Sequence, residues 1–230
     1  MRILVVVATE LEVGSLISDF GFSISELAEN SDLRLFKIKS EIEHPTSEIL
    51  ITGVGMVATA FALGRHLAAN KCDLVLNLGI AGSFDRNIAI GELVEISQDT
   101  LAELGAEDDG EFLPIEKMGF GEATFYPTTQ LTDLYNLFNN FNLKNVSAIT
   151  VNTVHGNEAS IKKVSERLNP QLESMEGAAF FYACKQMDVP CIQIRAVSNY
   201  VEKRNRDNWN MGLAIKNLNT FAIEFLKMYA

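Results

Sequence analysis

The stretch LVLNLGIAG, residues 74–82, is an aliphatic run that passes into a glycine-rich segment. Its first part predicts a buried strand over Leu74–Leu78, and the small residues after it predict a turn at the strand's carboxyl end. A similar turn is predicted at Thr52-Gly53-Val54-Gly55, after another short apolar run. Ligands of α/β proteins bind at the carboxyl ends of parallel strands, so both turns are candidate binding sites.

The rest of the chain alternates short β-branched or aliphatic runs with amphipathic segments, which is typical of an α/β fold with a largely parallel sheet. The predicted strands are Ile3–Val7, Leu33–Ile38, Glu48–Thr52, Leu74–Leu78, Leu93–Ile96, Val146–Val151 and Cys191–Val197. The predicted helices lie near Glu10–Ser18, Met56–Ala69, Thr129–Phe138, Glu158–Arg167, Gly177–Met187 and Asn208–Met228. Residues 103–128 lack a clear period and are predicted to form a long functional or interface loop.

Composition limits the partners of the chain. It has 230 residues, 47% of them hydrophobic, and a net charge of −11, so we expect one domain over residues 1–230 and no nucleic-acid partner. Cys72, Cys184 and Cys191 have no CxxC spacing and are expected to be reduced thiols of a cytoplasmic protein. No apolar run approaches the roughly 20 residues of a membrane helix, so no membrane partner is expected.

The segment Ala8-Thr9-Glu10-Leu11-Glu12 directly follows the first predicted strand. Thr9 and Glu12 have the spacing of a capping box, in which the carboxylate reaches back to the cap residue. A carboxylate at the end of a strand is also suited to act as a general base. Both interpretations stay open, and the sequence does not distinguish Glu10 from Glu12 as the base.

Two later segments combine polar residues with predicted element ends. Glu176 precedes the small residues Gly177-Ala178-Ala179; it is either a favourable charge in a first helical turn or part of a site that a ligand approaches closely. Residues 193–200, QIRAVSNY, form a strand that ends in polar side chains, which could be ordinary helix caps. His44, His66 and His155 lack metal-ligand spacing, so we expect no metal and no cofactor.

Taken in order, these segments resemble the purine nucleoside phosphorylase and nucleosidase superfamily over nearly the whole chain. The four matching motifs are the Ala-x-Glu-x-Glu start, residues 77–82, residues 174–176 and residues 195–199. The resemblance implies a mixed twisted β-sheet flanked by helices, as in the nucleoside phosphorylases. It also implies a homo-oligomer in which neighbouring subunits help to line the site for a small nucleoside.

The resemblance implies a role for each matched residue. The glutamate matched by Glu12 activates the attacking water in the nucleosidases, the glutamate matched by Glu176 binds ribose hydroxyls, and Met175 would pack against the sugar. Loss of a purine leaves an oxocarbenium-like ribose, and two carboxylates suit that chemistry. The other expected substrate contacts are Ile80, Ala81, Val154 and His155.

The same comparison favours hydrolysis over phosphorolysis. Phosphorylases of the superfamily carry arginine near the start and at the glycine-rich turn, where this chain has Glu10 and Glu12, then Asn77 and Ile80. Carboxylates repel phosphate, whereas a neutral water needs only a base.

Asn199 departs from the adenine-releasing nucleosidases, which resemble this chain but carry aspartate at that position. An asparagine amide supplies N–H donors, and a 6-oxopurine offers two acceptors, N7 and O6. The residue therefore favours hypoxanthine or guanine as the leaving base, and we count Asn199 with Glu12 as a catalytic candidate.

Residues 151–157 and 197–207 look most like the futalosine hydrolase family of the menaquinone pathway, which releases hypoxanthine from futalosine and leaves dehypoxanthinyl futalosine. Arg204 or Arg206 could pair with the benzoate of that substrate, although solvated charge at a helix start also explains them. The alternatives are a nucleosidase that releases adenine from methylthioadenosine, adenosylhomocysteine or aminofutalosine, a nucleoside phosphorylase, and a catalytically silent nucleoside-binding protein.

Overall fold

The computed structural model describes residues 1–14, 16, 23–24, 34–37, 47–128 and 141–229. The strands are β1 Ile3–Val7, β2 Ser23–Ile24, β3 Arg34–Lys37, β4 Glu48–Ile51, β5 Leu74–Ser83, β6 Leu93–Leu101, β7 Gly105–Asp108, β8 Glu111–Pro114, β9 Thr124–Phe125, β10 Lys144–Thr150, β11 Leu172–Ser174 and β12 Cys191–Tyr200. The helices are α1 Met56–Ala69, α2 Glu158–Leu168, α3 Gly177–Gln186 and α4 Met211–Tyr229. Single 3-10 turns span Glu10–Glu12 and Arg206–Asn208.

Ten of these strands form one mixed sheet in the order β11-β10-β6-β12-β5-β1-β4-β3-β2, with β9 paired to β6. β1 is parallel to both β4 and β5, and β12 is parallel to β5. β11 pairs with β10 on one side and with β5 on the other, so the sheet closes on itself across five strands. The carboxyl ends of β1, β4, β5 and β12 consequently meet at one edge.

Helices cover both faces of the sheet because successive strand residues point to opposite sides. In β1, Ile3, Val5 and Val7 pack in a cluster with α4, whereas Leu4 and Val6 pack in a cluster with α1 and α3. Every residue of β1 is buried, as expected for a strand with a hydrophobic layer on each face. Among the described helices, none is long and apolar enough to cross a membrane.

The predicted mixed sheet flanked by helices is confirmed, and so are the bounds of β1 and α1. The predicted strands over residues 74–78, 93–96 and 191–197 are too short, because each continues where it finds partner strands. The helix predicted near residues 10–18 begins as a 3-10 turn, and the one predicted at residues 129–138 lies outside the described residues.

Two predictions of irregular structure are wrong. The glycine-rich residues 78–82 are part of β5, because β12 pairs with them along their length. Residues 103–128 contain the β7-β8 hairpin, whose two-residue turn is Asp109-Gly110, and the short strand β9. The left-handed conformation of Asp109, with φ of 53°, is the kind that such a turn requires.

Candidate active site

Glu12 lies at the meeting point of β1 and β5. The residue is 8% exposed. Its Oε2 accepts hydrogen bonds from the N–H groups of Ala8 (3.1 Å) and Thr9 (3.0 Å), and its Oε1 accepts one from the N–H of Ile80 (3.3 Å). The capping-box interpretation is confirmed, and the same carboxylate reaches across to β5.

The structure separates the two glutamates that the sequence left open. Glu10 has a side chain that is 56% exposed and forms an ion pair with Arg34, so it lies away from β5. The turn that carries Glu12 is held from α4, where the Asn219 amide donates to the Glu12 carbonyl (2.8 Å) and accepts from the Leu16 N–H (2.8 Å). Of the two glutamates, Glu12 is the buried one and the one bonded to β5.

Arg195 of β12 is a fully buried cation beside Glu12. Its Nη2 donates to Asn77 Oδ1 at 2.6 Å, and the residue is 1% exposed. An ideal Cβ at Gly79 would lie 2.9 Å from Arg195 Nη1 and 3.1 Å from Glu12 Oε1. The glycine of β5 is what leaves room for a guanidinium and a carboxylate at the same point of the sheet.

Burial dominates the electrostatics of this cluster. Burial raises the pKa of Glu12, whereas the Thr9 hydrogen bond and the charge of Arg195 lower it by less. Burial also lowers the pKa of Arg195, although the charges of Glu176, Glu12 and Asp99 oppose it. A carboxylate whose pKa is raised is a stronger base than an exposed one, which suits a general base.

Glu176 stands between β11 and α3, at the N-cap position of the helix, but its side chain does not cap it. Instead, Oε1 accepts from the Gly55 N–H (2.9 Å) and Oε2 from the Met175 N–H (3.2 Å). Gly55 has φ of 96°, a conformation that side-chain-bearing residues rarely adopt. The glycine turn after β4 thus holds the second carboxylate near the first, where its charge contributes to the raised pKa of Glu12.

The small residues after Glu176 serve a buried polar cluster. Asp99 accepts from the Thr150 hydroxyl (2.9 Å) and from the Gln193 amide (3.2 Å), and burial raises its pKa to about 7. An ideal Cβ at Gly177 would lie 2.0 Å from Asp99 Oδ2 and 2.2 Å from Gln193 Oε1. The close approach predicted at Gly177 is therefore made by protein side chains behind the site.

Asn199 lies near the end of β12 and does not cap a helix. Its Nδ2 donates to the Tyr200 carbonyl (3.0 Å), and its Oδ1 accepts from the Ser198 hydroxyl (2.8 Å). The other amide N–H forms no hydrogen bond with the residues that the structure describes, so one N–H is unpaired there rather than the two expected from the sequence. An ideal Cβ at Gly82 would lie 3.3 Å from Asn199 Nδ2, so the glycine keeps the space next to the amide open.

His155 forms a pair with Glu173, which sequence reasoning did not select. The ring Nδ1 and the backbone N–H of His155 both bond to the Glu173 carboxylate, at 2.6 and 2.9 Å. Glu173 is 4% exposed, and burial raises its pKa against the hydrogen bond and charge of His155. In the sheet, Gly82 of β5 lies opposite Glu173 of β11 on one side and opposite Asn199 of β12 on the other. The His155–Glu173 pair and the Asn199 amide therefore lie next to the same residue.

The other residues predicted to contact the substrate have different surroundings in the structure. Ile80 contributes its backbone N–H to Glu12, while Ala81 and Val154 pack their side chains into hydrophobic clusters. Arg204 donates its backbone N–H to the Gly156 carbonyl of the His155 loop at 3.1 Å. The exposed guanidinium groups lie over one ring, Trp209, at 5.1 Å for Arg204 and 5.9 Å for Arg206. In the described parts of the chain, no group of three His, Cys, Asp or Glu side chains could hold a metal ion.

Comparison with known proteins agrees with this arrangement. The family description "Phosphorylase superfamily" matches residues 2–227. Futalosine hydrolase of Streptomyces coelicolor is 33% identical over 174 residues, which cover 73% of each chain. The chain belongs to the phosphorylase superfamily and, within it, to the futalosine hydrolase family. Futalosine hydrolase of Thermus thermophilus is 29% identical over 74% of this chain and 76% of that protein.

Solved structures of related proteins share the fold of this family member. The native structure of futalosine hydrolase from Helicobacter pylori matches with a TM-score of 0.84 at 16% identity, covering 99% of this chain and 98% of that one. A 5'-methylthioadenosine/S-adenosylhomocysteine nucleosidase from Colwellia psychrerythraea, in complex with adenine, matches with a TM-score of 0.79 at 23% identity over 99% and 95% of the two chains. These likenesses support the nucleoside phosphorylase-like architecture.

Three buried groups of this futalosine hydrolase family member were not among the residues selected from sequence. Arg195 had a usable signal, because a lone cation inside an aliphatic strand must find buried partners. Asp99 lies beyond the predicted end of its strand, and Glu173 stands in a three-residue strand that was not predicted. Their partners come from distant parts of the sequence, so spacing along the chain could not reveal them.

Proposed function

We propose that this chain hydrolyses the N-glycosidic bond of futalosine, releasing hypoxanthine and leaving dehypoxanthinyl futalosine, as a step in menaquinone biosynthesis. The observation that carries the proposal is the Glu12 carboxylate, which is buried beside Arg195 and held against β5. The curated relatives from S. coelicolor and T. thermophilus, both named futalosine hydrolase, support the substrate.

In this mechanism Glu12 accepts a proton from water, and the water oxygen attacks the anomeric carbon as the purine leaves. Glu176 accepts hydrogen bonds from ribose hydroxyls, and these bonds strengthen as positive charge develops on the sugar. Its carboxylate is already oriented by two backbone N–H groups. Met175, whose own N–H is one of those donors, packs against the sugar.

Water is a better nucleophile for this site than phosphate. The Arg195 guanidinium is buried among the charges of Glu12, Glu176 and Asp99, and one of its N–H groups is bound to Asn77. Three carboxyl groups around one cation disfavour a further anion. The local charge balance therefore supports hydrolysis rather than phosphorolysis.

Recognition of the 6-oxopurine rests on the segment around Gly82. The free N–H of Asn199 donates to the hypoxanthine edge, where an aspartate would suit adenine. Arg204, tied by its backbone to the His155 loop, and Arg206 are candidates for the benzoate of futalosine because both guanidinium groups are exposed.

We also propose a homo-oligomeric enzyme that acts in the cytoplasm. Val57 and Phe61 lie one turn apart on α1 and are 80% and 65% exposed, and Val54 and Leu11, at 56% and 72%, adjoin Gly55 and Glu12 in sequence. Exposed apolar residues beside site residues suit a subunit contact that helps to line the site. The three free cysteines are consistent with a reducing compartment. Sedimentation of wild type and Phe61→Glu tests the contact; a variant that sediments like wild type contradicts it.

A second candidate is an adenine-releasing nucleosidase, favoured by the C. psychrerythraea 5'-methylthioadenosine/S-adenosylhomocysteine nucleosidase, 27% identical over 68% of each chain. Incubation with futalosine, inosine and methylthioadenosine in phosphate-free buffer, followed by chromatography of the released base, separates the functions. We expect hypoxanthine from futalosine. Preferential adenine release selects the second candidate, release only after phosphate addition selects a phosphorylase, and no release in either buffer leaves a binding protein.

A further inference from the structure

The proposed reaction needs a group that assists departure of the base. When the C1′–N9 bond breaks, its electron pair stays on the purine, and a proton delivered to N7 makes the base a better leaving group. In the proposed function Asn199 binds the base, but an amide has no proton to release near neutral pH. Another residue must therefore supply that proton.

Counting hydrogen bonds leads to the same requirement. The hypoxanthine edge presents two acceptors, O6 and N7, whereas Asn199 already gives one amide N–H to the Tyr200 carbonyl. Only one N–H is left for two acceptors. An acceptor left without a donor in a closed site weakens binding, so a second donor is needed beside Asn199.

His155 is placed to be that donor. Its carboxylate partner Glu173 and Asn199 are both register partners of Gly82, and an ideal Cβ there would lie 3.3 Å from Asn199 Nδ2 and 3.6 Å from Glu173 Cγ. The Glu173 carboxylate accepts from Nδ1, so Nε2 is a second donor when the ring is protonated. Among the described residues, none forms a hydrogen bond with Nε2, and the ring is 14% exposed.

The loop that carries His155 is fixed on several sides. The backbone N–H of His155 also donates to Glu173, and the Gly156 carbonyl accepts from the Arg204 N–H. The next residue, Asn157, caps α2 by accepting from the N–H groups of Ala159 (2.9 Å) and Ser160 (3.3 Å). A proton donor gains most from such support, because catalysis depends on orientation as well as on acidity.

We propose that His155 protonates the departing purine at N7 and that Glu173 is the positioning residue that orients its ring. The proposal rests on the nucleosidase function proposed above. The C1′–N9 bond breaks as the Nε2 proton passes to N7, while the water oxygen bonds to C1′ and its proton passes to Glu12. The products are the neutral base and the free sugar; His155 then regains a proton from solvent as Glu12 releases one.

Few charged groups face His155 among the described residues. Glu173 faces it from β11, and Arg204 follows β12 with its side-chain base against Gly156 and its guanidinium over Trp209. Gly82 of β5 and Phe84, which follows that strand, bring no charge; the Phe84 ring meets the imidazole edge-on at 6.4 Å. Activity should require Glu12 deprotonated and His155 protonated, so kcat/KM for futalosine should fall at both low and high pH.

The test is the pH profile of kcat/KM for futalosine and for 4-nitrophenyl ribofuranoside, whose leaving group needs no proton. For His155→Gln, kcat/KM for futalosine should be ~100-fold lower than in wild type and should no longer fall at high pH. Its kcat/KM for the nitrophenyl substrate should change little. Glu173→Gln should slow futalosine hydrolysis more than hydrolysis of the nitrophenyl substrate, because the His155 ring loses the carboxylate that orients it. Glu12→Gln should be slow with both substrates.

His66→Gln is the matched control, because His66 of α1 also pairs with a buried glutamate, Glu48, at 3.3 Å. It should change both substrates equally. An equal loss with both substrates in His155→Gln, or a retained high-pH fall, overturns the proposal. If the variant does not fold, wild type alone decides: the high-pH fall must appear with futalosine and be absent with the nitrophenyl substrate. A wild type that hydrolyses no nucleoside overturns the proposed function instead.

Discussion

Gly79→Ala tests whether Glu12 and Arg195 act as one unit. The new Cβ would lie 2.9 Å from Arg195 Nη1 and 3.1 Å from Glu12 Oε1, closer than the 3.4 Å at which ordinary contacts begin. Neither neighbour yields easily: Arg195 is 1% exposed and Glu12 8%, and both are held by hydrogen bonds. The two groups must therefore separate by about half an ångström.

The expected cost follows from that displacement. A misplacement of about 1 Å in a catalytic group lowers the rate by ~100-fold, so half of it should lower kcat/KM by ~10-fold or somewhat more, equivalent to ~1.4 kcal/mol or more. Overpacking of a buried site costs ~1–3 kcal/mol of unfolding free energy. The lower entropy of the unfolded alanine chain offsets ~0.4–1 kcal/mol of that.

The assay is hypoxanthine release from futalosine, with kcat and KM determined separately, beside urea unfolding of the same preparations. Gly64→Ala is the matched control, because Gly64 lies within α1 and its ideal Cβ has nothing within 4 Å. It should keep full activity and gain ~0.5–1 kcal/mol of stability. Wild-type kcat/KM in Gly79→Ala would refute the coupling of carboxylate and guanidinium.

Four further predictions follow from individual side chains. Glu12→Gln keeps the shape of the carboxylate but removes the base, so kcat should fall ~100-fold or more, whereas Glu10→Gln should be neutral; a fast Glu12 variant would move the base elsewhere. Glu176→Gln should slow ribonucleosides more than 2′-deoxyribonucleosides, and an unchanged ratio would make this glutamate structural. Asn199→Asp should shift the kcat/KM ratio from futalosine toward aminofutalosine by ~1–3 kcal/mol, measured at several pH values because the aspartate must be protonated to donate; a fixed ratio would assign base selection to other groups. Burial raises the pKa of Asp99 to about 7, so the folded state keeps a proton that the unfolded chain releases, and the resulting stability, up to roughly 4 kcal/mol, is present below about pH 4 and lost as pH rises to 7. Urea unfolding across that range should show a flatter dependence in Asp99→Asn, and the wild-type slope in that variant would contradict the burial argument.

Local sequence determined the elements that depend on local patterns. The bounds of β1 follow from its aliphatic run and those of α1 from its amphipathic pattern. The motifs around Glu12 and Glu176 identified the two carboxylates that the structure brings together. The β7-β8 hairpin could also have been predicted from local sequence. Its Asp109-Gly110 turn is a strong hairpin signal, and the prediction of a long loop did not use it.

The tertiary structure decided everything that depends on which strands become neighbours. β5 runs through its glycines because β12 and β11 pair with it from two sides, and no local preference specifies such pairing. Glu12 is buried and Glu10 exposed although they are two residues apart, since only Glu12 meets β5. The pairing of Glu173 with His155 likewise joins a strand to a loop. A charge can be buried only where distant groups compensate it, so the chemistry of this site is set by partners far away in the sequence.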